Sequence, residues 1–183
     1  MADLARRLHL PVLIVRCQVG DRVAFEELVD HVNPRLRGFL QKLLAGSDHV
    51  DDVAQDVWLD VFQDLPRLEN IDSFLPWFYR IARNRAYRLL RRRDRRVEPL
   101  EEVELAVTEE PEPEFSAEDA RRVHAALDQL SPEHREVLLL RFMEQMSYDD
   151  VAQVTGCPVG TVRSRIHNAK RGLREILQRE EQR

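Results

Sequence analysis

"SYDDVAQVTGCPVGTVRSRIHNA" (residues 147–169) decides how this chain folds. Ser147 with Asp150 three residues later predicts a capped helix start: the hydroxyl accepts an orphan backbone N–H and the carboxylate returns the bond. Val151, Ala152 and Val154 make a short apolar stripe, and Gly156 predicts a break at positive φ. On the helix that follows, Val162, Ile166, Ala169 and Leu173 share one side. The other side offers Arg163, Ser164, His167, Asn168 and Arg171, groups that hydrogen-bond base edges and phosphates in a major groove. Arg165, Lys170 and Arg174 lie nearer the flanks and suit phosphate. A helical hairpin with a charged exterior is the plain alternative. Turn glycine, capping serine and one basic face together favour a helix-turn-helix.

A second basic helix lies upstream in "WFYRIARNRAYRLLRRR" (77–93). Phe78, Ile81, Ala82 and Leu89 mark its packed side. Arg80, Arg83, Asn84, Tyr87 and Arg91 recur at spacings of three and four on the other. A phenol and an amide among arginines suit single-stranded or melted nucleic acid, where bases stack on the ring and cations follow the backbone. A solvated basic face has the same pattern. Arg85 falls near the apolar side and calls for an acidic partner.

The net charge of −5 hides a segregation. Residues 80–96 hold nine arginines against Asp94, residues 159–174 carry +5, and residues 97–119 hold ten acids and no base. Screening keeps these islands independent beyond about 8–10 Å, so each basic helix can bind phosphate locally. The acidic stretch has three prolines and little periodicity and reads as a linker between two helical domains. Upstream of residue 47 two or three helices are expected, with breaks at Gly20-Asp21 and Gly46-Ser47 and with Pro34 at a kink or helix start. In "DHVDDVAQDVWLDVFQDLP" (48–66), Val53, Ala54, Val57, Trp58, Val61, Phe62 and Leu65 share a face. Asp52, Gln55, Asp56, Asp60 and Gln63 take the opposite one, with Leu59 stranded among them. Ser73 or Asp72 is the expected cap of the next helix, and Ser131 with Pro132 the start of another.

Cys17 and Cys157 have no partner at disulfide or metal spacing, so buried thiols in a reducing cytoplasm are expected. "PVLIV" is too short to span a bilayer, and no leader is evident. No metal or cofactor is expected. An enzyme would need a nucleophile among clustered acids or bases, whereas the serines sit in caps, loops or the recognition helix. A plain duplex-binding regulator would explain residues 120–177 and leave the upstream basic helix unused.

Taken in order, "RCQVGDRVAFEELV", "DDVAQDVWLDVF", "WFYRIARNRAYRLLRRR", "LSPEHREVLLLRF" and "SYDDVAQVTGCPVGTVRSRIHNAK" resemble bacterial sigma factors of the extracytoplasmic-function (ECF) group of the sigma-70 family, over nearly the whole chain. The resemblance implies an all-α protein. Residues 12–96 would be sigma region 2, 97–119 an acidic linker and 120–178 sigma region 4. It implies a cytoplasmic transcription initiation factor whose partners are core RNA polymerase (β′ clamp helices and β subunit), promoter DNA and an anti-sigma factor. Asp52, Gln55, Asp56, Leu59, Asp60 and Gln63 would touch the polymerase. Arg80, Arg83, Asn84, Tyr87, Arg88 and Arg91 would hold the −10 element, and the loop Leu68, Glu69, Asn70, Ile71, Asp72 and Ser73 would form a pocket for a flipped base. Thr161, Arg163, Ser164, Arg165, His167, Asn168, Lys170 and Arg171 would read the −35 duplex. The linker would thread the path of nascent RNA, although a solvated linker has the same composition. Asp150 stands where the family usually has Glu, and Asn168 where a basic residue is common.

Overall fold

The computed structural model describes residues 2–93 and 117–181, and every regular element among them is helical. A first lobe contains α1 (Ala2–Gln18), α2 (Arg22–Leu43), α3 (Val50–Asp64) and α4 (Phe74–Arg93). A second contains α5 (Ala117–Asp128), α6 (Pro132–Leu138), α7 (Tyr148–Thr155) and α8 (Val159–Glu181). Residues 94–116, most of the expected linker, lie outside the described part. The helix α5 already begins at Ala117, inside the stretch expected to be linker.

The breaks fall where backbone chemistry places them. Gly20 and Gly46 adopt φ of +88° and +70° at the ends of α1 and α2, a conformation that is inexpensive for glycine. Asp21 caps α2 by accepting from the Ala24 N–H at 3.1 Å. Pro34, expected at a kink or start, lies inside α2 instead. Proline removes one N–H and crowds the carbonyl four residues back. Here both Pro34 and Asp30 face solvent, so water can serve that carbonyl while Val32, Leu36, Phe39 and Leu40 continue the buried stripe.

Inside the first lobe the aromatic rings interlock. Phe39 meets Tyr79 edge-on at 5.1 Å and Phe74 stacks on Phe78 at 5.6 Å. Trp58 is half-buried and donates its indole N–H to Asn33 Oδ1 at 3.0 Å. Phe62, expected on the packed face of α3, is 57% exposed, and its ring meets that of Phe25 in a T-shaped contact at 5.1 Å.

In the second lobe Ser131 caps α6 with Pro132 at the first position, as the sequence leads one to expect. α6 then widens into a π-turn over Leu139–Met143, which periodicity did not announce. Arg135, only 5% exposed, donates to the carbonyls of Leu127, Asp128 and Leu130 at the end of α5. It also reaches Lys42 and Leu43 at the end of α2, at 3.1 and 3.0 Å. One guanidinium thus bonds carbonyls at the ends of two helices and ties the lobes together. The lobes meet along α4 and α7 and where α2 passes α5, α6 and the π-turn.

Candidate nucleic-acid interface

The α7–α8 pair is a helix-turn-helix. Ser147 Oγ accepts from the Asp150 N–H, and the Asp150 carboxylate accepts from the Ser147 N–H, closing the capping box. Gly156 ends α7 at φ +73°, where a Cβ would be strained. Val151, Val154, Val162, Ile166 and Ala169 are buried between the helices. α8 therefore projects Arg163 and Arg171 into solvent, with Thr161, His167, Asn168 and Lys170 half-exposed beside them.

These cations are held by their own lobe. The Arg163 guanidinium lies 5.5 Å from the Tyr148 ring centre, and the Lys170 ammonium 4.7 Å from that of Phe142. Arg171 donates to Asn168 Oδ1 at 3.3 Å. Two expected members of the outward set are placed differently. Ser164 is 4% exposed, and its hydroxyl donates to the Thr161 carbonyl at 3.0 Å, so it faces inward. Arg165 is half-buried, with Nη1 3.7 Å from Cys157 Sγ, and its charge favours the ionised form of Glu136. Arg165 sits between the two sides of the wheel, and here packing draws it in.

On α4, Arg80, Asn84, Arg88 and Arg91 are exposed. Asn84, Arg88 and Arg91, with Arg92, surround a shallow recess of about 450 Å³ with Tyr87 in its wall. Sequence reasoning passed over Arg92. Two residues expected on the open face are turned into protein. Tyr87 is 6% exposed and its hydroxyl donates to Glu136 Oε2 at 3.0 Å. Arg83 stacks over the Tyr87 ring at 4.5 Å, and its Nε lies 2.7 Å from Glu136 Oε1. Glu136 is fully buried on α6. Burial pushes its carboxyl up to about 7, against the pull of Arg83, the Tyr87 hydroxyl and Arg165. Burial and then the Glu136 charge push the Tyr87 phenol up as well.

The loop before α4 frames a second recess of about 450 Å³, lined by Asp64, Arg67, Leu68, Glu69, Asn70 and Trp77. Of the six expected pocket residues, Leu68, Glu69 and Asn70 line it, while Ile71, Asp72 and Ser73 form a 3₁₀ turn leading into α4. The expected cap at Ser73 or Asp72 is replaced by Asn70, whose Oδ1 accepts from the Asp72 N–H at 3.0 Å. Gln18 was missed. Its amide donates to the carbonyls of Leu65 and Leu68 at 3.1 and 2.7 Å and anchors the loop from α1.

The acidic face of α3 is open at Asp52, Gln55, Asp56 and Gln63, and Leu59 is 53% exposed among them. Asp60 departs from this set. It is half-buried and forms a bidentate pair with Arg85, whose Nε donates to Asp60 Oδ2 at 2.6 Å while Nη1 reaches Asp56 at 3.3 Å. That pairing supplies the acidic partner that Arg85 required.

One chain therefore carries a groove-fitting helix, a cation-and-phenol helix with a loop recess, and an open carboxylate face with one leucine. Residues 28–96 match Sigma-70 region 2 and residues 120–173 match Sigma-70, region 4. The RNA polymerase sigma-H factor of Pseudomonas aeruginosa is 34% identical, over 91% of this chain and 92% of its own length. The chain belongs to the ECF group of the sigma-70 family.

The ECF RNA polymerase sigma-E factor of Haemophilus influenzae is 31% identical, over 96% of this chain and 98% of its own. Among solved structures, CnrH in complex with the cytosolic domain of CnrY superposes with a TM-score of 0.69 at 25% identity, covering 93% of this chain and 97% of that one. RpoE from Bartonella quintana, in complex with the anti-sigma factor NepR, gives 0.63 at 30% identity, covering 84% and 96%. This sigma factor is a transcription initiation factor that acts with RNA polymerase, and a regulator working from residues 120–177 alone is not favoured. Sigma factors are regulatory proteins. Among the described residues no helix is long and apolar enough to cross a membrane.

Proposed function

We propose a division of labour among the three surfaces of this sigma factor. The open α3 face, with Asp52, Gln55, Asp56, Leu59 and Gln63, docks on the β′ clamp helices of core polymerase, and region 4 engages the β subunit. Leu59 supplies the apolar anchor and the surrounding carboxylates the orientation, as at other interfaces where one buried side chain dominates. Asp60 contributes through Arg85, fixing the face rather than touching the partner.

α4 and the loop before it take the −10 element after melting. Arg80, Arg88 and Arg91 follow the backbone, Asn84 offers both a donor and acceptors to a base edge, and Tyr87 provides a stacking ring. The Leu68–Asn70 recess receives a base swung out of the stack. α8 reads the −35 element as duplex, with Arg163 aimed at a base edge and Arg171 and Lys170 at phosphates. The protein works in the cytoplasm, and its regulator is an anti-sigma factor, by analogy with the complexes of CnrH and RpoE.

The observation that carries this reading is the coexistence of an exposed leucine-and-carboxylate face on α3 with an arginine recess on α4, lined in part by Tyr87, in the same lobe. The test is transcript start mapping with sigma-free core polymerase and fragmented genomic DNA. Discrete starts sharing two upstream elements support it. No starts, beside a working sigma factor as control, overturn it.

A further inference from the structure

The recess before α4 stands on uneven footing. Leu65 beneath it is buried and Leu68 half-buried, whereas Arg67, Glu69 and Asn70 stand in solvent. Residues 68–70 run between two short 3₁₀ turns, Leu65–Arg67 and Ile71–Ser73, and Leu68 is already extended at ψ 107°. The bonds made inside the segment are short-range. The Leu68 N–H donates to the Leu65 carbonyl, the Ser73 N–H to that of Asn70, and Arg67 to Asp64. Local bonds of this kind leave a loop many conformations unless something outside it selects one.

Gln18 makes that selection from the last position of α1. Its amide nitrogen donates to the Leu65 carbonyl at 3.1 Å and to the Leu68 carbonyl at 2.7 Å, 47 and 50 residues away in the chain. The nitrogen carries two protons, so both bonds form at once and fix one carbonyl relative to the other. Gln18 is in turn firmly seated. Leu13, Ile14 and Cys17 bury one side of α1, and Arg16 pairs at 2.8 Å with Asp21, the residue that caps α2. A site on a loop is less exact than one on a helix, and binding geometry must hold to within about 0.5 Å. One amide here passes the rigidity of a packed helix to the loop. α1 lies ahead of the residues that match region 2, which begin at 28.

We infer that Gln18 is a positioning residue for −10 recognition: by holding the Leu65 and Leu68 carbonyls it sets the opening of the recess that receives the unstacked base. This rests on the reading of that recess given above and adds α1 to the promoter-reading machinery.

The test uses holoenzyme, core polymerase with the full-length protein, on a mapped promoter carrying a pre-melted bubble. Affinity is measured for the intact non-template strand and for strands with an abasic site at each −10 position in turn. With wild type, removing the base at one position should cost about tenfold. Gln18→Glu sets a carboxylate against the two carbonyls and should bind the intact strand about tenfold more weakly, and removing that same base should then cost less than about twofold. Gln18→Ala adds no repulsion and should show the same pattern with a loss of about threefold. Gln18→Lys, whose ammonium can donate to both carbonyls, should stay within about twofold of wild type. Wild-type affinity in both Gln18→Glu and Gln18→Ala overturns the inference. So does a loss of equal size on intact and abasic strands, because Gln18 would then support the lobe and not the recess. Gln18→Lys as weak as Gln18→Glu overturns it too, since donation to the carbonyls would not be what matters. The underlying reading fails by a different result, a wild-type holoenzyme indifferent to base removal at every −10 position.

Discussion

The two basic helices, α4 and α8, carry similar side chains into opposite circumstances. On α8 the cations rest on rings of their own lobe, Arg163 beside Tyr148 and Lys170 beside Phe142, and the outward face stands ready. On α4 the central arginine and phenol are engaged by Glu136 from the other lobe, while the flanking Arg80, Asn84, Arg88, Arg91 and Arg92 face water. A duplex presents a groove of fixed width, which a rigid helix can meet without rearrangement. A melted strand has no shape of its own, and its binding surface can be stored closed and completed on use. Pre-formed and concealed surfaces thus follow the physical state of the DNA each is proposed to hold.

The sharpest way to break the contrast is Tyr87→Ala. It removes a stacking ring worth about 1–3 kcal/mol per base, so open complexes at a fixed promoter should fall roughly tenfold to a hundredfold. It also empties a buried site, which should lower stability by about 3 kcal/mol. Tyr87→Phe separates the two effects. It keeps the ring and loses one hydrogen bond, at about 1 kcal/mol. Permanganate reactivity of the melted strand and thermal unfolding read the two. Equal melting by Tyr87→Ala would remove α4 from the −10 reading.

The buried carboxylate should make the concealed surface pH-dependent. Burial raises Glu136 from 4.5 to about 7. A carboxyl raised in the folded state adds stability that is complete below its ordinary pKa and is lost as pH climbs through the folded value. Relative to Glu136→Gln, which has no proton to lose there, wild type should therefore lose stability between about pH 5 and pH 8, by roughly 3 kcal/mol at most. Chemical denaturation of both proteins across that window measures it. A difference that stays flat would mean that Glu136 titrates normally and the pairing with Arg83 is stronger than burial.

On the pre-formed side, Arg163→Ala should cost about 1–3 kcal/mol at one base pair of the upstream element and relax preference there, while spacing and melting stay unchanged. Binding to a panel of single-base variants of that element reads it out. A uniform loss at every position would make Arg163 a phosphate contact.

Much of this was legible in the sequence, because it depends on short-range chemistry. Ser147 with Asp150, Gly156, and Ser131 with Pro132 each specify a helix end through bonds within a few residues, and each end is where local reasoning puts it. The exposure of Leu59 follows from helical spacing alone. What escaped depends on neighbours distant in the chain. Arg135 and Glu136 look like surface residues of a short helix until the other lobe is laid against them. Pro34 reads as a kink or helix start, yet it lies inside α2 with both it and Asp30 exposed. Gln18 gains a task only when residues 65–68 fold back onto α1. Arg83 and Tyr87 fall on the open face of a helical wheel, which has no way to register the covering lobe.

Ser164 is the smallest and most discriminating case. By spacing it shares the outward side with Arg163, which would give it a base to read. In the folded chain its hydroxyl is spent on the Thr161 carbonyl and its side chain is 4% exposed. Ser164→Ala removes one local bond and adds no volume that needs room, so stability should change by less than about 1 kcal/mol. Preference across the same panel of base variants should not move, in contrast to Arg163→Ala. If Ser164→Ala instead shifts preference at one base pair, α8 must turn or unwind on the duplex to release that hydroxyl. The recognition helix would then have to rearrange on its DNA, and the difference between the two surfaces would be one of degree.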